Sequence, residues 1–423
     1  MKIAMFTNTY LPHVGGVARS VKTLEDECRK LGHEVRVIAP ESDAADESPD
    51  VLRVPAIQNF NGSDFSVRLP FPNKIRDFID GFQPDIIHSH HPFLLGDAAL
   101  REAWKSGVPI VFTHHTLYER YTHYVPLDSD ALKRVAIQLA TEYCNLCTHV
   151  IAPSDSIAKL LLERGVKAPV TSIPTGIDTQ TFSSADGAGF RARYGISSEQ
   201  TVIGHVGRLA EEKNLGFLAE AVGEVLERHP DAVFLLVGDG PAKEAVEARI
   251  PAGRIIATGS LHGQDLADAY AAMDIFAFAS QSETQGMVLA EAMAAGVPVV
   301  ALDGPGVREI LFNDRNGILL DGEADSASFA DALSRLISEH EFRGSCSEQA
   351  AIVSEEYDRA ATTARIIDLY ESLIAGNHRE PEDSGPWDRL LNGVQIEWEI
   401  AAARISAVAA VVSITPATEV AID

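Results

Sequence analysis

Glu283 and Glu291 stand eight positions apart in the stretch Ser282-Glu-Thr-Gln-Gly-Met-Val-Leu-Ala-Glu291-Ala-Met-Ala-Ala-Gly-Val-Pro-Val-Val300. The apolar run Met287 to Ala295 predicts a buried helix, which Gly296-Val-Pro298 ends before a strand over Val299 to Leu302. A helix beginning near Gly286 aims its unpaired N–H groups and the positive end of its dipole at whatever precedes it, which makes an anion site. At a rise of about 1.5 Å per residue, Glu291 lies roughly one turn inside that helix and Glu283 lies on the loop before it. One ligand can then touch both carboxylates and the amides of Gly286, Met287 and Val288. A sugar nucleotide has the parts for this: sugar hydroxyls, a diphosphate and a ribose diol.

Breaking a sugar–diphosphate bond loads charge onto the departing diphosphate, and fixed cations and oriented N–H groups can stabilise it without a metal. The segment Val206-Gly-Arg208-Leu-Ala-Glu-Glu-Lys213-Asn214 supplies Arg208 after a strand and Lys213 five residues on. Gly15 and Gly16, in His13-Val-Gly15-Gly16-Val-Ala-Arg19, let the backbone approach a phosphate at a helix start, with Gly16 foremost. The turn is not the G-x-G-x-x-G of NAD enzymes. Phe112-Thr113-His114-His115-Thr116-Leu-Tyr118 follows a buried strand, where ligands bind in parallel sheets. A second cluster, His88-Ser-His90-His91-Pro-Phe93-Leu-Leu-Gly96, also follows a strand; it lacks the ligand spacing of a metal site.

The elements that position these residues alternate along the chain. Strands are expected over Lys2 to Thr7, Glu34 to Ala39, Asp85 to His88, Val108 to Thr113, Val150 to Ala152 and Val170 to Ile173, with a helix over Val17 to Leu31. After a turn-rich hinge from Ile173 to Phe182, strands recur over Val202 to Val206, Val233 to Val237 and Ile275 to Phe278, with a helix over Asn214 to Arg228. Such alternation predicts parallel, doubly wound α/β sheets. At 423 residues the chain has the length of two domains.

A net charge of −26 excludes nucleic-acid binding through a basic surface. Ten lysines stand against twenty-five arginines, a balance found in proteins adapted to high salt and also in ordinary acidic ones. Cys28, Cys144, Cys147 and Cys346 give no disulfide framework, and Cys144 and Cys147 read as small core residues of a helix rather than a zinc or redox pair. No apolar run reaches a membrane-spanning length and strand sequence begins at the first residues, so a cytoplasmic protein is expected.

The Glu283 to Val300 segment resembles the E-x7-E signature of retaining glycosyltransferases with the GT-B fold. The family is the large one that includes sucrose-phosphate synthases, phosphatidylinositol mannosyltransferases and diacylglycerol glucosyltransferases. Gly207-Arg208-x4-Lys213-Asn214 resembles its G-R-x4-K-N element, and Thr113-x-His115-Thr116 its T-x-H-[TS] element; together the likeness spans roughly residues 1 to 375. The resemblance implies two Rossmann-like domains facing a cleft, residues 1–178 for the acceptor and 179–356 for the nucleotide sugar. A helix at 357–376 crosses back to the first domain, and a linker and helical tail follow at 377–423. It also implies that Arg208 and Lys213 contact the diphosphate. Glu283 faces the sugar hydroxyls, Glu291 takes the ribose diol, and the amides near Gly286, Met287 and Val288 hold phosphate. His115, with His114 as the competing assignment, lies over the sugar, and the Gly15-Gly16 loop approaches donor phosphate and acceptor.

Those implications amount to a retaining, metal-independent hexosyltransferase with no cofactor beyond its nucleotide-diphosphate sugar, UDP-glucose being favoured. The paired motifs His88 to Gly96 and Thr113 to Tyr118 resemble the diacylglycerol glucosyltransferase branch, in which Phe93, Tyr118, Tyr121 and Tyr124 line the acceptor entrance. The alternative is α-glycosyl transfer from a UDP- or GDP-sugar to a soluble sugar, glycerate or a cell-surface precursor. A phosphorylase is disfavoured because the chain is too short and shows no lysine-bound pyridoxal phosphate. A non-catalytic binder is disfavoured because Arg208, Lys213, Glu283 and Glu291 are all present. The tail apolar residues Trp387, Leu390, Leu391, Val394 and Trp398 fit docking on the protein, peripheral contact with the inner face of a membrane, or dimerisation.

Overall fold

A computed structural model of the chain describes residues 1–12, 15–42, 48–57, 67–68, 72–119 and 130–376. His13, Tyr121, Tyr124 and the tail from 377 onward, all read in the sequence, lie outside the described residues. The chain divides into two compact units. The first takes Met1–Pro153, Ile157–Ile173 and the chain from Thr363, and the second takes Ser154–Ser156 and Pro174–Thr362.

In the first unit the strands are β1 (Lys2–Phe6), β2 (Glu34–Pro40), β3 (Val51–Val54), β6 (Ile86–Ser89), β7 (Ile110–Thr113), β8 (His149–Ala152) and β9 (Val170–Ser172). A small antiparallel pair, β4 (Ala56–Ile57) and β5 (Val67–Arg68), stands apart from them. The main sheet runs β3-β2-β1-β6-β7-β8-β9 with every pairing parallel. Parallel strands covered on both faces must be apolar at successive residues, and this explains Ile3-Ala-Met-Phe6. Ile3 and Met5 pack with Val21, Leu24 and Cys28 of helix Gly16–Lys30, while Ala4 and Phe6 pack with Ala99, Leu100 and Ala103 of helix Leu95–Ser106. Ile366, Ile367 and Tyr370, on helix Arg359–Gly376, complete the first of these cores.

The second unit repeats the plan with β10 (Thr201–Val206), β11 (Ala232–Val237), β12 (Ile255–Gly259), β13 (Ile275–Phe278), β14 (Val299–Leu302) and β15 (Gly317–Leu320). Its order is β12-β11-β10-β13-β14-β15, again all parallel. Along β11, Val233, Leu235 and Val237 enter one core and Ala232, Phe234 and Leu236 the other. The strand order reverses between β1 and β6 in one unit and between β10 and β13 in the other. At such a reversal the helices leave to opposite faces and a crevice opens beyond the strands' C-terminal ends.

Five strands escape the sequence pattern: the two-residue pair β4 and β5, and β3, β12 and β15, which are edges of the two main sheets. An edge strand has a neighbour on one side only, so residues such as those of Ile255–Gly259 remain mostly part-exposed and lose the continuous apolar signal. The expected hinge contains a short helix, Thr179–Ser183, because the Asp178 carboxylate accepts from Thr181 N at 3.3 Å and caps it. The helix expected from Asn214 starts at Leu215, with Asn214 itself left-handed at φ 54°.

Tyr370 is fully buried, with its hydroxyl 2.5 Å from Nδ1 of His88. Replacing Tyr370 by Phe keeps the packing and strands a buried ring nitrogen, so urea unfolding should show a loss of about 1–3 kcal/mol, with the folded circular dichroism spectrum unchanged.

Candidate functional site

The residues singled out in the second unit gather beyond the ends of β10 and β13. Gly207 and Arg208 leave β10 along the loop that follows β11: Gly207 N donates to Val237 O at 3.1 Å and Leu209 N to Asp239 O at 2.9 Å. Gly238 sits at φ +134°, and a Cβ there would lie 1.9 Å from Gly207 O, so only glycine lets the two loops touch. A 3-10 turn, Glu211–Lys213, then brings Lys213 back, and Asn214 ties it to β13 through Nδ2 donating to Ala279 O at 3.3 Å.

Lys213 Nζ meets Glu283 Oε1 at 2.5 Å, each side chain being 18 % exposed. Ser280 Oγ donates to the same oxygen at 2.9 Å. Burial alone would raise the Glu283 pKa, but the Lys213 ammonium and the Ser280 hydroxyl outweigh it and hold the carboxyl below its ordinary value. Arg208, more exposed than Lys213, pairs with Glu212. The arrangement is a cation and a carboxylate kept ionised side by side, with a second cation nearby in sequence and still accessible to water.

The loop carrying Glu283 is braced on several sides within this unit. Gln285 clamps Thr175, accepting from its N–H at 2.6 Å and donating to its carbonyl at 2.7 Å. Ser282 Oγ donates to Glu212 O at 3.1 Å, and Ser154 Oγ to Thr284 O at 2.8 Å. Gly306 lies so close that a Cβ would fall 2.5 Å from Gln285 N. Gly286 caps helix Met287–Ala294 from a left-handed conformation, φ 70°, so Met287 and Val288 carry its first amides.

Glu291 has a different setting from its companion. It is 1 % exposed and its Oε2 accepts from the Tyr270 hydroxyl at 2.8 Å. The structure thus places Glu283 with Lys213 and Glu291 with Tyr270, on either side of the Gly286 helix start. Tyr270, Thr175 and Gly306 went unread in the sequence because each acts on a residue distant along the chain, and Ser280, only three positions before Glu283, carries no pattern that sets it apart from an ordinary loop serine. The proximity of Gln285 to Gly286 was the only local signal.

In the first unit the histidines converge at the C-terminal ends of β6 and β7, His88 within β6 and the others just past a strand. The His88 and His90 ring centroids are 4.1 Å apart, and His90 stacks on His115 at 5.3 Å. His88 Nε2 lies 2.7 Å from Thr113 Oγ1, and His91 Nδ1 accepts from Asn8 N at 3.0 Å, which leaves the His91 proton on Nε2. His90 Nδ1 and His115 Nε2 are 3.0 Å apart. His114 is buried between Phe112 and Tyr118, while His115 remains partly exposed. Burial lowers His88 and His91 to about 3 and His114 to about 4, and pushes His90 and His115 well below their ordinary value. All five rings are therefore neutral near pH 7. Among the described residues no group of three or more His, Cys, Asp or Glu is arranged to hold a metal ion. Cys144 and Cys147 pack as free thiols in the apolar core.

Gly15 precedes helix Gly16–Lys30 as its extended N-cap, after β1. A Cβ on Gly16 would meet nothing within 4 Å among the described residues, so packing there does not demand glycine. Each unit thus places its singled-out residues at its own strand-order reversal.

Residues 14–181 match the family described as Glycosyltransferase Family 4, and residues 200–339 match Glycosyl transferases group 1. The chain is 29 % identical to an alpha-monoglucosyldiacylglycerol synthase of Acholeplasma laidlawii, over 90 % of this chain and 99 % of that protein. It is 30 % identical to the synthase of the same description from Streptococcus pneumoniae, over 77 % of each. It is also 30 % identical to a GDP-mannose-dependent alpha-mannosyltransferase of Mycobacterium tuberculosis, over 81 % of this chain and 89 % of that one. An Anabaena protein crystallised with UDP-glucose shares the fold with a TM-score of 0.71 at 20 % identity, covering 88 % of this chain and 100 % of the other.

The neutral histidines set an acid limit. In the unfolded chain they titrate near 6.5, so below that pH the unfolded state binds more protons and stability falls, by up to about 1.4 kcal/mol per pH unit for each ring. Calorimetry at about pH 5.5 in buffers of differing ionisation enthalpy should register an uptake of roughly four to five protons on unfolding from these five histidines.

Proposed function

This chain belongs to family 4 of the GT-B glycosyltransferases, and from that premise we propose that it is a retaining, metal-independent hexosyltransferase moving glucose from UDP-glucose to diacylglycerol. The observation that carries the transfer reading is the Lys213–Glu283 pair beside the Gly286 helix start, beyond the ends of β10 and β13. It sets an ammonium, a carboxylate and free-ended amides where a sugar diphosphate needs all three. The choice of donor and acceptor is supported by the full-length likeness to glucosyldiacylglycerol synthases.

In this reading Lys213, Arg208 and the amides near Gly286, Met287 and Val288 take the diphosphate, and Glu283 takes the sugar hydroxyls. A ribose diol engages Glu291 by competing with, or adding to, the Tyr270 hydrogen bond. Gly15 and Gly16 approach phosphate from the start of their own helix, and His115 hydrogen-bonds the transferring sugar. The bond from the anomeric carbon to the diphosphate breaks as that carbon bonds the acceptor oxygen on the same face. The acceptor's proton passes to the departing phosphate oxygen, UDP leaves, and the configuration is retained. Phe93 and Tyr118, edge to face at 5.2 Å, give the acceptor an aromatic entrance. No helix among the described residues is long and apolar enough to cross a membrane, which fits peripheral contact with a lipid surface at its cytoplasmic face.

A second reading, mannosyl transfer from GDP-mannose, is favoured by the mycobacterial relative. Incubation of the full chain with UDP-glucose or GDP-mannose and diacylglycerol in detergent micelles, read by mass spectrometry, separates the two. An α-glucosyldiacylglycerol formed equally well in EDTA is the expected product. Product from GDP-mannose alone would replace the donor, and metal-reversible loss in EDTA would overturn the metal-independent mechanism.

Lys213→Ala and Glu283→Ala should each lower turnover by about 100-fold or more while leaving the circular dichroism spectrum intact. Near-normal turnover in either variant would remove the pair from the reaction.

A further inference from the structure

We propose that Asn8 is a positioning residue that holds the strained backbone at Leu94, and with it the Phe93 ring, so that its amide sets the affinity for the acceptor. The inference rests on the reading of Phe93 and Tyr118 as the acceptor entrance. It starts from Leu94, whose φ of 59° and ψ of −98° lie in the left-handed half of backbone space. Gln83, Asn214 and Asp314 also take positive φ, and among these non-glycine residues Leu94 is the apolar one. A short polar side chain can hydrogen-bond the nearby backbone in that region; leucine has no such compensation, so its surroundings must hold it there.

Leu94 is the centre of a three-residue turn close to the γ type, which the flanking C=O and N–H ordinarily close by bonding each other. Here the Asn8 amide stands between those two groups. Its Nδ2 donates to Phe93 O at 3.0 Å, and its Oδ1 accepts from Leu95 N–H at 3.2 Å. A carbonyl can only accept and an N–H can only donate, so the two partners dictate a single orientation of the amide. Asn8 is buried, and its own N–H donates to His91 Nδ1 at 3.0 Å, which ties the loop after β1 to the loop after β6. Gly96 closes the other side of the turn, since a Cβ there would lie 2.0 Å from His91 O.

The carbonyl that Asn8 holds belongs to the residue whose ring meets Tyr118 edge to face. Without the amide, Leu94 can relax to negative φ, and that rotation turns the adjoining peptide and carries the Phe93 ring off Tyr118. The bond from Asn8 N–H to His91 is made by the backbone and survives any change of side chain. Glu283 and its loop are braced by Ser280 and Glu212 of their own unit, so the loss falls on the acceptor and not on the donor.

The test is steady-state transfer from UDP-glucose to diacylglycerol in detergent micelles by the full chain, with hydrogen–deuterium exchange read at the Leu95 amide by fragmentation mass spectrometry. Asn8→Ala should speed Leu95 exchange about tenfold and raise the acceptor KM about tenfold, the size of one lost hydrogen bond. The kcat and the UDP-glucose KM should stay within about twofold of the parent chain, a split that general loss of structure does not give. Adding Leu94→Gly to Asn8→Ala removes the steric cost of positive φ and should bring the acceptor KM back to within about threefold of the parent. Two unrelated packing losses would add instead, so a double variant worse than Asn8→Ala overturns the proposal. Unchanged Leu95 exchange in Asn8→Ala overturns it as well, and so does an unchanged acceptor KM. If the parent chain makes no glucosyldiacylglycerol, the acceptor reading falls, and Leu95 exchange alone decides whether Asn8 holds the turn.

Discussion

In a sheet whose strands are all parallel, every C-terminal end lies along one edge, and the helices returning the chain must cover both faces. Where the strand order reverses, neighbouring helices depart to opposite sides, and the loops between them are the only backbone free to surround a ligand. Both units obey this constraint, at β1 and β6 in one and at β10 and β13 in the other. Gly15 and His90 therefore follow one reversal, and Arg208 and Glu283 follow the other. The loops can differ widely in chemistry because the sheets beneath them are fixed by burial on both faces.

The two loop clusters use opposite electrostatics. In the second unit the ammonium of Lys213 and the carboxylate of Glu283 neutralise each other in a partly exposed position, so each stays ionised at a modest desolvation cost. In the proposed reaction a diphosphate entering there meets a lysine that is already fixed. In the first unit four buried imidazoles cluster with the partly exposed ring of His115, and loss of hydration keeps them neutral. Neutral rings give directed donors and acceptors and no field, which suits orienting hydroxyl groups more than stabilising a leaving group.

Much of this was legible in the chain. Buried central strands declared themselves as unbroken apolar runs, and Glu283, Gly286, Arg208 and Lys213 stood in short segments whose spacing follows from strand ends and a helix start. The edge strands β3, β12 and β15 did not, since half-exposed strands lack a continuous pattern. The neighbouring His114 and His115 read alike in sequence, and only their surroundings separate a ring buried between Phe112 and Tyr118 from one paired with His90.

The sequence by itself determined the architecture and the short motifs, because apolar periodicity, glycine turns and charge spacing act over a few residues. The partnerships were decided only by the tertiary structure: Lys213 with Glu283 across 70 positions, Glu291 with Tyr270 across 21, His88 with Tyr370 across 282. A side chain's protonation and orientation depend on the dielectric and the donors around it, and those are set by elements brought together from distant parts of the chain. The eight-residue spacing of the two glutamates thus announced a loop and a helix start, while the fold gave one carboxylate a lysine and the other a tyrosine.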